Sequence, residues 1–208
     1  MCPKMAGVSF RRMPRLSRRP LAAVAAALVL AGSLAACAGK QAVGGTDGGF
    51  RYVSGTKLGT TYALGSRKLA GDFTAGLLDG NGSYTLSQDR GKVVVINYWA
   101  SWCGPCVIES PQFDLVYRAY KSKGVNFVGV DTKDARSHGQ YFVKNHNISY
   151  PSVFDEPGQT AVELGKIPLP GLPSTVLIDK HGKVAGVYGQ TMSPKDIEPL
   201  LDKLVAEA

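Results

Sequence analysis

Trp102-Cys103-Gly104-Pro105-Cys106 holds the residue types and spacing for chemistry. Two thiols three positions apart close a disulfide with each other and reopen it by exchange with another disulfide. The pair follows an apolar run, Val93–Tyr98, and precedes a stretch with helical spacing, so Cys103 falls near a helix N-cap. There its sulfur meets unpaired backbone N–H groups and the positive end of the helix dipole. Both favour thiolate over thiol and lower the pKa from the free value of about 8.5. Cys106, one turn further in, is expected to be the more buried, resolving sulfur. Pro105 suits the first turn, where its missing N–H is not needed. The competing readings are a zinc knuckle and a static disulfide. Zinc needs about four ligands, and His138, His146 and His181 have no matching spacing to the pair. A structural bond over so short a loop would stabilise little.

The elements that position this pair are readable from periodicity. Val93–Tyr98 is a continuous apolar run, as in a strand buried on both faces. Pro105–Lys123 has apolar residues at 108, 115, 116 and 119, a helical spacing, with Pro111 as an internal kink. Asn126–Val130 reads as a second central strand, about Ala135–Asn145 as a helix and Gln159–Leu164 as a short one. Tyr84–Leu86, Ser174–Ile178 and Val184–Tyr188 read as strands, the last two joined by the turn Asp179-Lys180-His181-Gly182. Ser193 caps a final helix from Pro194, with Ile197, Leu200, Leu201 and Leu204 on one face. The order predicts an α/β domain with a mixed central sheet flanked by helices.

The rest of the chain is organised around export. The 208 residues carry 24 Lys+Arg, 16 Asp+Glu and four cysteines, a net charge of +8. Lys4, Arg11, Arg12, Arg15, Arg18 and Arg19 precede an apolar run, Leu21–Ala31, and no acid precedes Asp47. A basic region followed by an apolar core reads as a secretory signal over residues 1–36. Leu34-Ala35-Ala36-Cys37 resembles a bacterial lipobox, which implies cleavage before Cys37 and lipid on its sulfur. A second reading takes the uncharged stretch Leu21–Gly39 as an uncleaved membrane anchor. Six of the 24 cations leave with the signal, so the remaining 172 residues carry only +2. That removes the main support for nucleic-acid binding. Residues 37–70 are rich in Gly and read as a lipidated tether, in which Phe50–Val53 is a candidate short strand; residues 71–208 read as the catalytic domain.

Gly91–Cys106 resembles the active-site segment of TlpA/ResA-like thiol-disulfide oxidoreductases, which are membrane-tethered proteins of thioredoxin-like fold. Gly71-Asp72-Phe73, Glu109-Ser110-Pro111, Gly129-Val130-Asp131 and Gly171-Leu172-Pro173-Ser174-Thr175 extend the likeness to the C-terminus. The resemblance implies that Cys103 attacks and Cys106 resolves. It implies that Pro173 is a cis-proline presenting the backbone of Leu172 to a substrate chain, and that Glu109 moves protons near Cys106. Trp102 is expected to supply an apolar docking surface, and Trp99 to be structural. In thioredoxins proper the buried acid lies on the strand before the motif, where this chain has Asn97. The segment from about Asp134 to Leu164 matches the extra α/β insert of the family.

The family implies disulfide-containing exported proteins as substrates, apocytochrome c among them, and an integral membrane thiol carrier as electron donor. The domain would act outside the cytoplasmic membrane, on its outer face. No pattern for a metal or organic cofactor is read. The Gly-Pro dipeptide is that of thioredoxin, whose potential is about −270 mV, and favours a reductase. An oxidase of the same fold is the alternative. Peroxidase is disfavoured, because the residues seven and three before Cys103 are Ile96 and Ala100 rather than Pro and Thr or Ser. A partner-binding module without catalysis is disfavoured by the intact pair.

Overall fold

The structure, a computed structural model, describes residues 59–207. The export signal, Cys37 and Phe50–Val53 lie outside the described residues. The strands are β1 (Gly59–Thr61), β2 (Thr74–Gly76), β3 (Ser83–Thr85), β4 (Val93–Trp99), β5 (Val125–Asp131), β6 (Ser152–Phe154), β7 (Ser174–Ile178) and β8 (Val184–Tyr188). The helices are α1 (Gly104–Tyr120), α2 (Arg136–Asn145), α3 (Gln159–Glu163) and α4 (Pro194–Ala206).

Six strands form one mixed sheet in the order β1-β8-β7-β4-β5-β6, and β2 and β3 form a separate hairpin. β4, β5 and β6 run parallel, while β7 and β8 are antiparallel additions on the other side. β4 is at the centre, and all seven of its residues are buried. Alternate β4 side chains serve opposite faces of the sheet. Val93 and Val95 pack with Phe113 and Val116 of α1 and Ile197 and Leu201 of α4. Val94, Ile96 and Tyr98 pack with Phe73, Tyr84 and the α3 region at Ala161 and Leu164. The helical insert between β5 and β7 contributes α2, β6 and α3, and so widens the sheet by one parallel strand.

Two expectations are corrected. The folded domain begins before Gly71. β1 pairs with β8 and forms the edge of the sheet, and Arg67 is buried against Asp179 and Glu207. Residues 59–70 therefore belong to the fold and not to the tether; their glycine content and lack of alternation conceal a three-residue strand. The buried face of α1 also differs from the apolar positions in its sequence. Ile108 and Leu115 are exposed, and Cys106, Glu109, Ser110, Phe113, Val116 and Tyr120 face inward. The stripe keeps helical spacing, but the active site fills part of it with polar groups. Ser193 caps α4 as expected, in a reciprocal capping box with Asp196. No helix among the described residues is long and apolar enough to cross a membrane.

Candidate active site

The carboxyl end of β4 delivers the chain through Ala100–Trp102 to the start of α1. Cys103 is the N-cap residue, with extended backbone at φ −80° and ψ 102°. Its sulfur accepts the Cys106 N–H at 3.3 Å. Its carbonyl receives the first helical hydrogen bonds, from the N–H groups of Cys106 and Val107. This arrangement supplies a donor and a helix dipole to a thiolate at Cys103. Cys103 and Cys106 are joined as a disulfide, with Cα atoms 5.2 Å apart. Cys106 is fully buried and Cys103 nearly so, in an apolar cluster with Leu78, Trp99, Ala100 and Phe142. Trp99 is structural, stacked on Phe142 at 4.6 Å between ring centroids.

Glu109 lies three residues beyond Cys106 on the same helix face. It is wholly buried. Its Oε1 accepts the Asn97 side-chain N–H at 2.8 Å, and its Oε2 accepts the Met192 backbone N–H at 2.6 Å. Burial pushes the Glu109 pKa up to about 7, against the pull of these two hydrogen bonds. A carboxyl group that titrates near neutrality can take up or release a proton in the working range. Asn97 occupies the β4 position facing this acid, and its Oδ1 is buried without a hydrogen-bond partner.

Leu172–Pro173 is a cis peptide bond at the entry to β7. Leu172 packs against the cluster that holds both sulfurs. Ser174, beside Pro173, is paired with Tyr98 of β4. Trp102 is 63% exposed, and its indole N–H donates to the Lys133 carbonyl at 2.8 Å. The fold thus gathers Trp102, Cys103, Cys106 and Leu172–Pro173 at one end of β4, with Glu109 beneath. Cys37 lies outside the described residues. His138 and His181 are exposed and His146 partly so, none within a cluster of metal-ligating residues among the described residues.

Residue type and spacing mark neither the Met192 N–H nor Asp134 as contributors to this region, and Asp131 enters only within the Gly129-Val130-Asp131 likeness, with no role. Met192 reaches Glu109 through its backbone, which leaves no mark in residue type. Asp134 precedes α2 and accepts the Ser101 N–H at 2.6 Å; an acid just ahead of a helix is a visible but common signal.

The comparisons agree with this geometry. The family described as Redoxin matches residues 41–204. Thiol-disulfide oxidoreductase ResA of Geobacillus thermodenitrificans is 34% identical over 145 residues, covering 70% of this chain and 80% of its own. ResA of Bacillus subtilis is 34% identical over 127 residues, covering 61% and 69%. Among solved structures, a secreted thiol-disulfide isomerase from Corynebacterium glutamicum superposes with a TM-score of 0.71 at 28% identity, over 76% of this chain and 98% of that one. A DsbF homologue from Corynebacterium diphtheriae gives 0.69 at 31% identity, over 76% and 100%. Matches of this extent place the chain in the Redoxin family, among the thioredoxin-fold thiol-disulfide oxidoreductases of TlpA/ResA type.

Proposed function

We propose that the protein reduces disulfides in exported proteins, with Cys103 as the attacking thiolate and Cys106 as the resolving thiol. The observation that carries this reading is the Cys103 sulfur at the α1 N-cap, held by the Cys106 N–H, with Cys106 buried behind it. The thiolate of Cys103 attacks one substrate sulfur, and the other substrate sulfur leaves as a thiolate that takes up a proton. Cys106 then loses its proton and attacks the Cys103 sulfur of the mixed disulfide. The second substrate sulfur departs reduced, and Cys103 and Cys106 are left as a disulfide. Glu109, one turn below, accepts the Cys106 proton as resolution proceeds. A membrane thiol carrier returns two electrons to the pair.

Leu172 and Trp102 form the docking edge. Leu172 offers backbone groups for strand-like pairing with a substrate chain beside Pro173, and the exposed ring of Trp102 offers apolar area. The export signal directs the chain across the cytoplasmic membrane and is cleaved, and lipid on Cys37 then anchors the domain on the outer face, with the glycine-rich segment up to about residue 58 as its tether. Apocytochrome c fits as one substrate, since its cysteines must be reduced before haem attaches. The Gly104-Pro105 dipeptide, which is that of thioredoxin, supports the reducing direction.

An oxidase is the second reading, because the N-cap geometry stabilises the thiolate and hence the reduced form. Reduction of insulin disulfides by the full chain tests the catalytic reading. Turnover that disappears in Cys103→Ser supports it; a Cys103→Ser variant as active as the wild type overturns it.

A further inference from the structure

The turn after β5 carries a second buried carboxyl group next to the cysteine loop. β5 ends at Asp131, level with Trp99 at the end of β4. The chain then turns through Thr132, Lys133 and Asp134 into α2. Three hydrogen bonds tie this turn to the residues ahead of Cys103. Thr132 N–H donates to the Trp99 carbonyl at 3.0 Å, Ser101 N–H to Asp134 Oδ2 at 2.6 Å, and the Trp102 indole to the Lys133 carbonyl at 2.8 Å. Lys133 N–H is anchored from the far side by the Glu156 carbonyl, and Lys133 has φ +54°, a conformation that lysine rarely adopts. Ser101 and Trp102, the two residues before Cys103, are thus both fastened to one turn.

Asp131 stands behind this fastening. Its side chain is completely buried, and neither carboxyl oxygen has a hydrogen-bond partner. Gly139 of α2 closes over it: a Cβ there would lie 1.9 Å from Asp131 Oδ2. An ionised, unpartnered carboxylate in such a place is costly, and a second carboxylate beside it adds repulsion. Burial first, then the Asp134 charge, pushes the Asp131 pKa up to about 8, while Arg136 pulls it down. Burial opposes the ionisation of Asp134, but the Ser101 hydroxyl, then the Ser101 and Ala135 N–H groups, outweigh it and hold its pKa below the usual range. The side chains facing the pair are the cation Arg136, which donates to the Leu77 and Leu78 carbonyls, and the exposed imidazole of His138, 3.8 Å from Asp134 Oδ1. One proton, kept on Asp131, is the donor that this pair otherwise lacks.

We propose that Asp134 and Asp131 are a positioning pair for Cys103: the Asp134 carboxylate fixes the Ser101 amide, and the proton retained on Asp131 keeps the two carboxyl groups together. The inference rests on Cys103 being the attacking sulfur. Ionisation of Asp131 sets two negative charges against each other and loosens the turn that holds Ser101 and Trp102. Reactivity per Cys103 thiolate then falls in mildly alkaline solution.

The test uses the reduced full chain and a small aromatic disulfide, with rates measured from about pH 6 to 10 and divided by the thiolate fraction titrated on the same sample. In the wild type the corrected rate falls about tenfold as Asp131 ionises, the scale of one charge-assisted hydrogen bond. Asp131→Asn, which mimics the acid form, removes that fall and keeps the neutral-pH rate. Asp134→Asn is about tenfold slower near neutrality with no further alkaline fall. Parallel profiles for the wild type and Asp131→Asn overturn the proposal, as does a wild-type rate in Asp134→Asn. Should Asp134→Asn not fold, the Asp131→Asn profile decides; an unfolded Asp131→Asn contradicts the acid form assigned to Asp131. A Cys103→Ser variant that still reacts would refute the reading of the cysteines instead, whatever the aspartates do.

Discussion

Asn97 donates its side-chain N–H to Glu109 Oε1 at 2.8 Å, joining the strand that leads into the cysteine motif to the helix that leaves it. The Asn97 Oδ1 atom has no partner in this arrangement. A side-chain amide serves either protonation state of its neighbour: Nδ2 donates to the carboxylate, and Oδ1, after a flip, accepts from the acid. Glu109, pushed up to about 7 by burial, therefore changes charge near neutrality without losing its partner.

Glu109→Gln is the corresponding substitution. The Gln amide donates to a flipped Asn97 and its carbonyl keeps the Met192 N–H, so the fold is retained. Resolution of the mixed disulfide slows about a hundredfold, the lower end of what a positioned proton-transfer group supplies. The inflection near pH 7 in the rate profile disappears with it. Stopped-flow measurement of the resolution step against pH checks both outcomes.

Cys106→Ser removes the resolving sulfur and leaves Cys103 in its N-cap. Incubated with a disulfide-bonded exported protein, this variant accumulates a covalent adduct that dithiothreitol releases. Non-reducing electrophoresis and mass spectrometry locate the link at Cys103. The Cys103→Ser variant forms no such adduct.

Arg67→Ala tests the early start of the domain. Arg67 donates to Asp179 at 3.1 Å and to both Glu207 oxygens, and its side chain is 1% exposed. Removing it takes the guanidinium from Asp179 Oδ2, a carboxylate 3% exposed whose Oδ1 keeps the His181 and Lys183 N–H groups, and costs about 3 kcal/mol. Chemical denaturation reads this loss. A change within about 0.5 kcal/mol would mean that residues 59–70 lie on the surface as spacer.

Stability against pH should pass through a maximum in weakly acidic solution. Glu109 and Asp131 have pKa values raised to about 7 and about 8, so the folded protein holds their protons more tightly than the unfolded chain does. Their contribution is complete below the ordinary carboxylate range and is lost as pH rises through these values. Glu207, held below its usual range by the Arg67 hydrogen bonds, acts in the opposite sense and loses its contribution as the solution becomes acid. Thermal unfolding scans from about pH 4 to 9 read the profile. The alkaline decline is shallower in Glu109→Gln and in Asp131→Asn.

Legibility in the sequence followed the physics of each element. β4 was readable because a strand buried on both faces is an unbroken apolar run, and α4 because its cap and apolar face are local. β1, β2 and β6 span three residues each, too short for any periodicity to emerge. The buried face of α1 was misread because Glu109 and Ser110 take core positions while Ile108 and Leu115 face outward. Cys103 and Cys106 follow from spacing alone, whereas Glu109 and Pro173 entered through family resemblance. The Asp131–Asp134 pair was not readable, since it depends on the β5–α2 turn folding back over Ser101. Gly139, the residue that makes room for Asp131, looks like an ordinary helix glycine until that packing is known.

The direction of electron flow is the central claim, and the reduction potential of the Cys103–Cys106 pair tests it most directly. Equilibration of the full chain against glutathione or dithiothreitol redox buffers gives the value. A reductase requires a potential more negative than about −150 mV, near the −270 mV or so of thioredoxin. A value more positive than about −150 mV, approaching that of a strong disulfide donor at about −120 mV, would contradict it.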